Sequence, residues 1–408
     1  MTTVATPRRL DVSVLASSGL LQITANATAA MVATLVLGAA GRGEMVLGAT
    51  MGGICALVGG AGTGQALRSL LPAADVDRRV VLRAYAWCSA VGAVSAAGLA
   101  VVVCAASAPL LGDSLARPGF LLAVAAFTGV QVVAVQASEA WYADGLFRRG
   151  GLWFAACAGG GLAGLLVAVA ADPAAPVLLG AQAAGTALVC AIQLAPLARA
   201  GLLPAGPPTG PAVRLLLARG LPALGLTFGL ALALRCDRYV LGAFAGPAAV
   251  GVYSLAATVS EVPRVVPQAV GQLFVRHVAL GGAGHLTRWL SRAAVAAVAG
   301  GLVVAAGGWL LITPVFGADF EPARSMLLVL VVAEVCFAPY AVASRGLIGH
   351  GRTRAAGGLG LAASIAAIGC YVLGASLGGG TGLAFGCVAL YCGLSTYAVV
   401  LFRRGAVR

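Results

Sequence analysis

Twelve apolar runs follow one another from Val12 almost to the C-terminus, and they leave little sequence for anything else. They cover residues 12–38, 45–67, 84–106, 119–142, 150–171, 176–198, 220–244, 247–275, 293–313, 325–344, 355–377 and 380–402. As a helix, each is long enough to cross the roughly 30 Å hydrocarbon core of a bilayer. Backbone amides in hydrocarbon must be satisfied within the chain, so such runs are read as transmembrane helices. Only 10% of the 408 residues are charged, 60% are hydrophobic and the mean hydropathy is +0.98. A soluble domain carries about a quarter charged residues. The expected fold is an all-α polytopic membrane protein of about twelve transmembrane helices.

The net charge of +13 comes from 26 basic residues, all of them arginine. With the N-terminus placed in the cytoplasm, most of these arginines fall in cytoplasmic loops and termini. Arg42, Arg117 and Arg324 fall in external loops, and Arg235, Arg238 and Arg264 lie inside apolar runs. This asymmetry obeys the positive-inside rule and assigns both termini to the cytoplasm. The basic balance is then topological, with attraction to membrane lipids as a by-product and no nucleic-acid partner implied. Abundant Ala, Gly and Arg without Lys suggest a GC-rich bacterial genome, and the expected location is the bacterial cytoplasmic (plasma) membrane. The ten cysteines all lie inside predicted spans without metal-ligand spacing, and His277, His285 and His350 do not cluster, so no metal and no cofactor are expected. The first apolar run is too long for a cleavable signal peptide.

The stretch ARAGLLPAGPPTGPAVR, residues 198–214, separates six runs from six. Its prolines and glycines break helices. We therefore divide the chain into an N-terminal six-helix half at 1–198, a cytoplasmic linker at 199–219 and a C-terminal six-helix half at 220–408. Val36-Leu37-Gly38-Ala39 matches Val240-Leu241-Gly242-Ala243, half the chain away. Two pseudo-symmetric halves around a central cavity are the expected arrangement. The glycine-rich GGAGTG at 59–64 lacks the strand–turn–helix context of a dinucleotide site. The other loops are short, so a folded catalytic domain has no place.

Charges at membrane depth cost about 2.5–3.5 kcal/mol each and persist where they meet a partner or water. Segment 7 carries Arg235 and Arg238 on one helical face, with Asp237 turned about 100° from Arg238. On segment 8, Ser254, Thr258, Glu261, Arg264, Gln268 and Gln272 fall within an arc of about 120°, a polar stripe that reads as the wall of an aqueous cavity. Pro263 and Pro267 should bend the helix within it. Static pairing, Arg235 with Glu261 or Asp237 with Arg264, is the competing reading. Glu334 in segment 10 reads either as a neutral carboxyl or as a proton or ion site. Glu139 lies toward the cytoplasmic interface beside Trp141 and Tyr142.

These residues resemble polysaccharide-export flippases (Wzx-like) of the MOP, or multidrug/oligosaccharidyl-lipid/polysaccharide, superfamily. In that family a span ending Asp-Arg, two hydrophobic residues, Leu or Ile, and Gly precedes a loop and a Gly-hydrophobic-Tyr-x-x-Ala motif. Here the motif residues are Asp237, Arg238, Leu241, Gly242, Gly251, Tyr253 and Ala256. LVLGAAGRGEM at 35–45, VFGADFEPARSMLLVLVVAE at 315–334 and RGLIGHGRTRAA at 345–356 resemble further family segments. The resemblance implies a non-enzymatic flippase moving lipid-linked oligosaccharide or polysaccharide precursors by alternating access. Arg235, Arg238 and Arg264 would then attract phosphates, and Ser254, Thr258, Gln268 and Gln272 would meet sugar hydroxyls. Asp237, Glu261 or Glu334 would couple transport to H+ or Na+. Lipid-linked glycan, membrane lipids and glycan-assembly membrane proteins are the implied partners. A cation-coupled multidrug antiporter of the same superfamily is the alternative, and a membrane glycan polymerase or ligase fits less well because the external loops are short.

Overall fold

The computed structural model describes residues 9–72, 77–279, 286–350 and 352–406, and among these every regular element is helical. In chain order the helices are α1 (Arg9–Gly60), α2 (Thr63–Leu70), α3 (Arg78–Leu111), α4 (Pro118–Ala143), α5 (Phe147–Val169) and α6 (Ala175–Arg199). There follow α7 (Gly210–Arg235), α8 (Asp237–Ser260), α9 (Val265–Ala279), α10 (Leu286–Phe316), α11 (Pro322–Gly349) and α12 (Thr353–Ala406). Short 3-10 turns occupy Asp113–Ala116, Val262–Arg264 and Ala318–Phe320. The chain is an all-α, multi-pass membrane protein. Many large apolar side chains, such as Val94, Leu122, Leu302 and Leu377, point outward, as a lipid solvent requires.

Nine stretches among the described residues are long and apolar enough to cross a bilayer. Three of them, Ser17–Leu70, Thr227–Val275 and Ala355–Arg404, run for 49 to 54 residues. A straight helix of 50 residues would be about 75 Å long, more than twice the hydrocarbon thickness. Glycines break each one: Gly38 (φ 64°, ψ −170°) in α1, Gly246 (φ 75°, ψ 177°) in α8, and Gly378 and Gly379 (φ 53°) in α12. Every break falls at a junction between two apolar runs, so division there yields the twelve spans expected from hydropathy. The backbone at Gly38 and Gly246 is in a region that only glycine adopts freely, and alanine at either costs about 1–3 kcal/mol.

Several helices outrun their apolar segments. The helix α3 begins at Arg78 rather than 84, α7 at Gly210 rather than 220, and α10 at Leu286 rather than 293. The added turns carry Arg78, Arg79, Arg83, Arg214, Arg219, Arg288 and Arg292. Arginine is a good helix former whose apolar stem lies along the helix while its head reaches water. Hydropathy counts such turns as loop. Pro211 sits in the first turn of α7, where its missing N–H is no loss, so the non-helical linker shrinks to residues 200–209.

Two compact units emerge. The first comprises the chain up to Val36, Gly48–Pro109 and Asp113–Leu224; the second comprises Leu37–Leu47, Leu110–Gly112 and Gly225–Arg408. Within the first, Leu67, Leu70, Leu82, Tyr85, Trp141, Leu197 and Leu216 form one buried cluster with Leu202 of the linker. There α5 and α6 cross so closely that a Cβ on Gly185 would lie 2.1 Å from the Gly160 carbonyl oxygen, the close approach that small residues permit between membrane helices.

A repeat is visible in local geometry. Pro109, Gly112 (φ 128°), a 3-10 turn and Pro118 opening α4 recur as Pro314, Gly317 (φ 92°), a 3-10 turn and Pro322 opening α11. The helix ends match too, with Leu146 N–H donating to Trp141 O and Arg352 N–H to Leu347 O. In spans 1–2 and 7–8 the equivalent breaks are Gly38 and Gly246, 208 positions apart (246 − 38). The tetrapeptide match paired Gly38 with Gly242 instead, and that register is four residues off because Gly242 sits in regular helix.

Candidate functional site

The charges of spans 7, 8 and 10 gather in the second unit. Arg264 lies in the 3-10 turn between α8 and α9, a turn that Pro263 and Pro267 enforce by removing helical N–H donors. Its Nε donates to Glu334 Oε2 at 2.7 Å, and its Nη2 donates to Glu334 Oε1. The guanidinium also lies 4.9 Å from the Phe337 ring centroid and within 3.4 Å of the Tyr391 hydroxyl. Both partners are buried on α11 and the α8–α9 turn. A forked, ring-stacked geometry of this kind is one that Lys cannot reproduce.

Glu261, at the end of α8, bridges two arginines. Arg235 Nη1 and Nη2 approach its carboxylate at 3.3 and 3.4 Å, and Arg238 Nη2 approaches Oε1 at 3.4 Å. Arg238 is buried and also meets Asp237 Oδ1 at 3.2 Å. The Tyr253 hydroxyl donates to Asp237 Oδ2 at 2.9 Å. Arg235 is the open member, with 44% of its side chain exposed, and Glu261 is 27% exposed. These looser contacts at the solvent-reaching end contrast with the tight, enclosed Arg264–Glu334 fork.

Of the two static pairs anticipated, Arg235–Glu261 forms, whereas Arg264 turns to Glu334 and not to Asp237. Glu334 is therefore an ion-pair partner and does not stand alone. The polar stripe divides at the 3-10 turn, since helical spacing does not carry through it. Above the turn, buried Ser254 donates to Gly251 O at 2.9 Å and half-buried Thr258 to Ser254 O at 2.8 Å. Beyond it, Gln268 and Gln272 are exposed. Glu139 belongs elsewhere, in the first unit, where Arg68 Nη2 donates to it at 2.7 Å and the guanidinium stacks on Tyr142. His277 and His350 join no metal-binding group among the described residues, and His285 lies outside them.

The repeat shows that these charges are not needed to build the helices. At the 208-residue register, Arg235, Asp237, Arg238, Glu261 and Arg264 correspond to Ala27, Ala29, Ala30, Gly53 and Ala56. Glu334 corresponds to a position between Thr128 and Val130, depending on which end of α4 and α11 is superposed. One half of the chain makes these spans without a single charge at these places.

Sequence reading missed Arg42. It was assigned to an external loop, but α1 resumes directly after Gly38 and carries Arg42 inside the second unit, 7% exposed. In the first unit, a groove of 620 Å³ lies between Trp87 on α3 and Val213, Leu217 and Leu221 on α7, with Arg214 on its wall; it contains none of the anticipated site residues.

No protein-family model matches this chain, and no curated protein matches it in sequence. Solved structures match its fold. The lipid II flippase MurJ in an inward closed conformation superposes with a TM-score of 0.76 at 11% identity, over 95% of this chain and 87% of that one. An inward-facing multidrug resistance MATE family transporter of the MOP superfamily gives 0.66 at 15% identity, over 93% and 94%. A MOP superfamily transporter from Pyrococcus furiosus gives 0.62 at 15% identity, over 97% and 94%. At these identities the likeness is one of fold, and the fold is that of MOP superfamily transporters.

Proposed function

We propose that this protein is a MOP superfamily flippase that carries lipid-linked oligosaccharide across the bacterial cytoplasmic membrane, from the inner to the outer leaflet, by alternating access. A sugar-phosphate headgroup cannot enter hydrocarbon without a polar path. The observation that carries the reading is the charged set on spans 7, 8 and 10, present in one half and dispensable for folding in the other. The fold likeness to a lipid II flippase is consistent with it.

In this reading the isoprenoid (pyro)phosphate competes with Glu261 for Arg235 and Arg238. The contacts it displaces are long, 3.3 to 3.4 Å, and partly exposed. Forked contacts to phosphate oxygens are shorter and stronger. Once displaced, Glu261 is a carboxylate without a partner and takes H+ or Na+, which links substrate entry to an ion gradient. Asp237, itself held by the Tyr253 hydroxyl, accepts from Arg238 and keeps it in place, and Gln268 and Gln272 offer amides to sugar hydroxyls. Arg264–Glu334 fixes the turn that positions Glu261.

Arg235→Gln and Glu261→Gln, in a strain lacking the native gene, are each expected to reduce surface glycan at least about tenfold at normal protein levels. Unchanged surface glycan would remove both residues from the mechanism. The MATE-type folds favour a second reading, a cation-coupled multidrug antiporter. It predicts intact surface glycan with lowered drug tolerance in the same strain.

A further inference from the structure

Three sulfur side chains converge where α1 and α3 cross in the first unit. Met51 Sδ lies 3.2 Å from Cys104 Sγ, and the Ser107 hydroxyl lies 3.9 Å from Met51 Sδ. Cys55 follows Met51 by four residues, so it shares that face one turn along. The register of the two helices fixes what Cys55 faces. A Cβ on Gly59 would lie 2.6 Å from Ala96 Cβ; Gly59 comes eight residues after Met51, and Ala96 eight before Cys104. The helices are thus antiparallel and in step, which sets Cys55 opposite Ala100, one turn from Cys104. Met51, Cys55 and Cys104 are all buried, at 3%, 4% and 0% exposure.

Residues 47–59 and 96–108 contain no carboxylate and no histidine, so the donors at this crossing are a thioether and two thiols. Soft sulfur ligands of this kind select Cu+, whereas structural Zn2+ asks for four ligands. The fold itself does not demand the sulfurs. At the equivalent places of the repeat stand Val259, Pro263 and, counted from Pro109 and Pro314, Trp309. A crevice of 240 Å³ runs along α3 from Trp87 past Cys88 and Ser95 to Leu99, next to Ala100, and gives an ion a way in. Met51 and Cys104 are 53 positions apart on different helices, so spacing along the sequence does not display the set.

We propose that Met51, Cys55 and Cys104 form a binding site for a soft monovalent metal ion, Cu+ or Ag+. The ion replaces the Cys104 thiol proton. The Cys55 thiol and the Met51 thioether complete a three-sulfur set of no net charge, as burial requires. One proton leaves for each ion bound. Metal–sulfur bonds of about 2.3 Å in one plane hold sulfurs about 4 Å apart, a small shift that the flexible Met51 side chain supplies. Binding here does not depend on the flippase reading.

Oxygen-free titration of the reduced, purified full-length protein with the Cu+–bicinchoninate complex tests it. Wild type is expected to withdraw an ion that Cys104→Ser leaves with the chelator. X-ray absorption of the copper-loaded protein should show sulfur alone around the metal. Met51→Leu keeps the volume and should melt as wild type without copper. It should weaken binding beyond the about tenfold that losing an outer partner costs at metal sites. Cys55→Ser should weaken binding too, and decides the matter if Met51→Leu melts low. Apparent affinity should rise about tenfold per pH unit, since one proton is released. Cys157→Ser is the control: its Sγ lies 3.8 Å from Cys190 Sγ in the same unit, and binding should be unchanged. Ag+ should displace the copper, and Zn2+ should not. No uptake, uptake unchanged in Cys104→Ser, or equal displacement by Zn2+ overturns the proposal and leaves the sulfurs as packing.

Discussion

Replacing Glu334 with Gln is expected to destabilise the protein by about 3–5 kcal/mol, because Arg264 stays buried without its counter-charge. Arg264→Met should cost less. An abandoned carboxyl can neutralise itself by taking a proton, whereas a guanidinium cannot. The double variant Arg264→Met/Glu334→Met should recover most of the loss, since a matched apolar pair is often as stable as a buried ion pair. The repeat points the same way, because the first half folds with small or apolar residues at the equivalent places. Melts of the purified variants give stability, and surface glycan in a complemented deletion strain gives transport. The account expects transport to fail in the double variant even though its stability returns. A stable double variant that still exports would make the fork purely architectural.

Gly43→Leu is the other large effect. Even its Cβ would enter the van der Waals shell of a backbone carbonyl, 1.7 Å from Pro247 O, where no rotamer change relieves the clash. The expected loss exceeds the about 1–3 kcal/mol typical of overpacking among side chains. Gly251→Leu should match it, because its Cβ meets Ala39 O at 1.8 Å. Gly369→Ala is the control. No atom lies within 4 Å of a Cβ there, and alanine is the better helix former by about 1 kcal/mol, so its melt should be unchanged or higher. Equal melts for Gly43→Leu and Gly369→Ala would mean that the α1–α8 crossing is not held as described.

The spans were legible because a bilayer dictates length, and a run of 20 apolar residues has few other uses. The breaks at Gly38, Gly246 and Gly378–Gly379 lie where hydropathy dips. Partner choice was not legible. Helical spacing places Glu261 and Arg264 on a face, but says nothing of which helix meets that face, so Glu334, 70 positions beyond Arg264, could not be named. The Arg235–Glu261 pair could, because adjacent spans are close by connection. Arg42 was misread because Gly-Arg-Gly-Glu looks like a loop on any hydropathy scale, although the helix runs straight through it. The repeat register slipped by four because a chain with 58 glycines offers many near-identical Gly-Ala matches, and only the backbone angles at Gly38 and Gly246 separate them.

The central claim, translocation of a lipid-linked glycan, is tested most directly by the leaflet sidedness of that lipid pool. In a strain lacking the gene, the lipid-linked oligosaccharide is expected to accumulate and to resist a membrane-impermeant sugar-modifying reagent added from outside. The wild-type gene should restore access, and Arg235→Gln should not. A pool of normal size, equally accessible with and without the gene, would contradict the account.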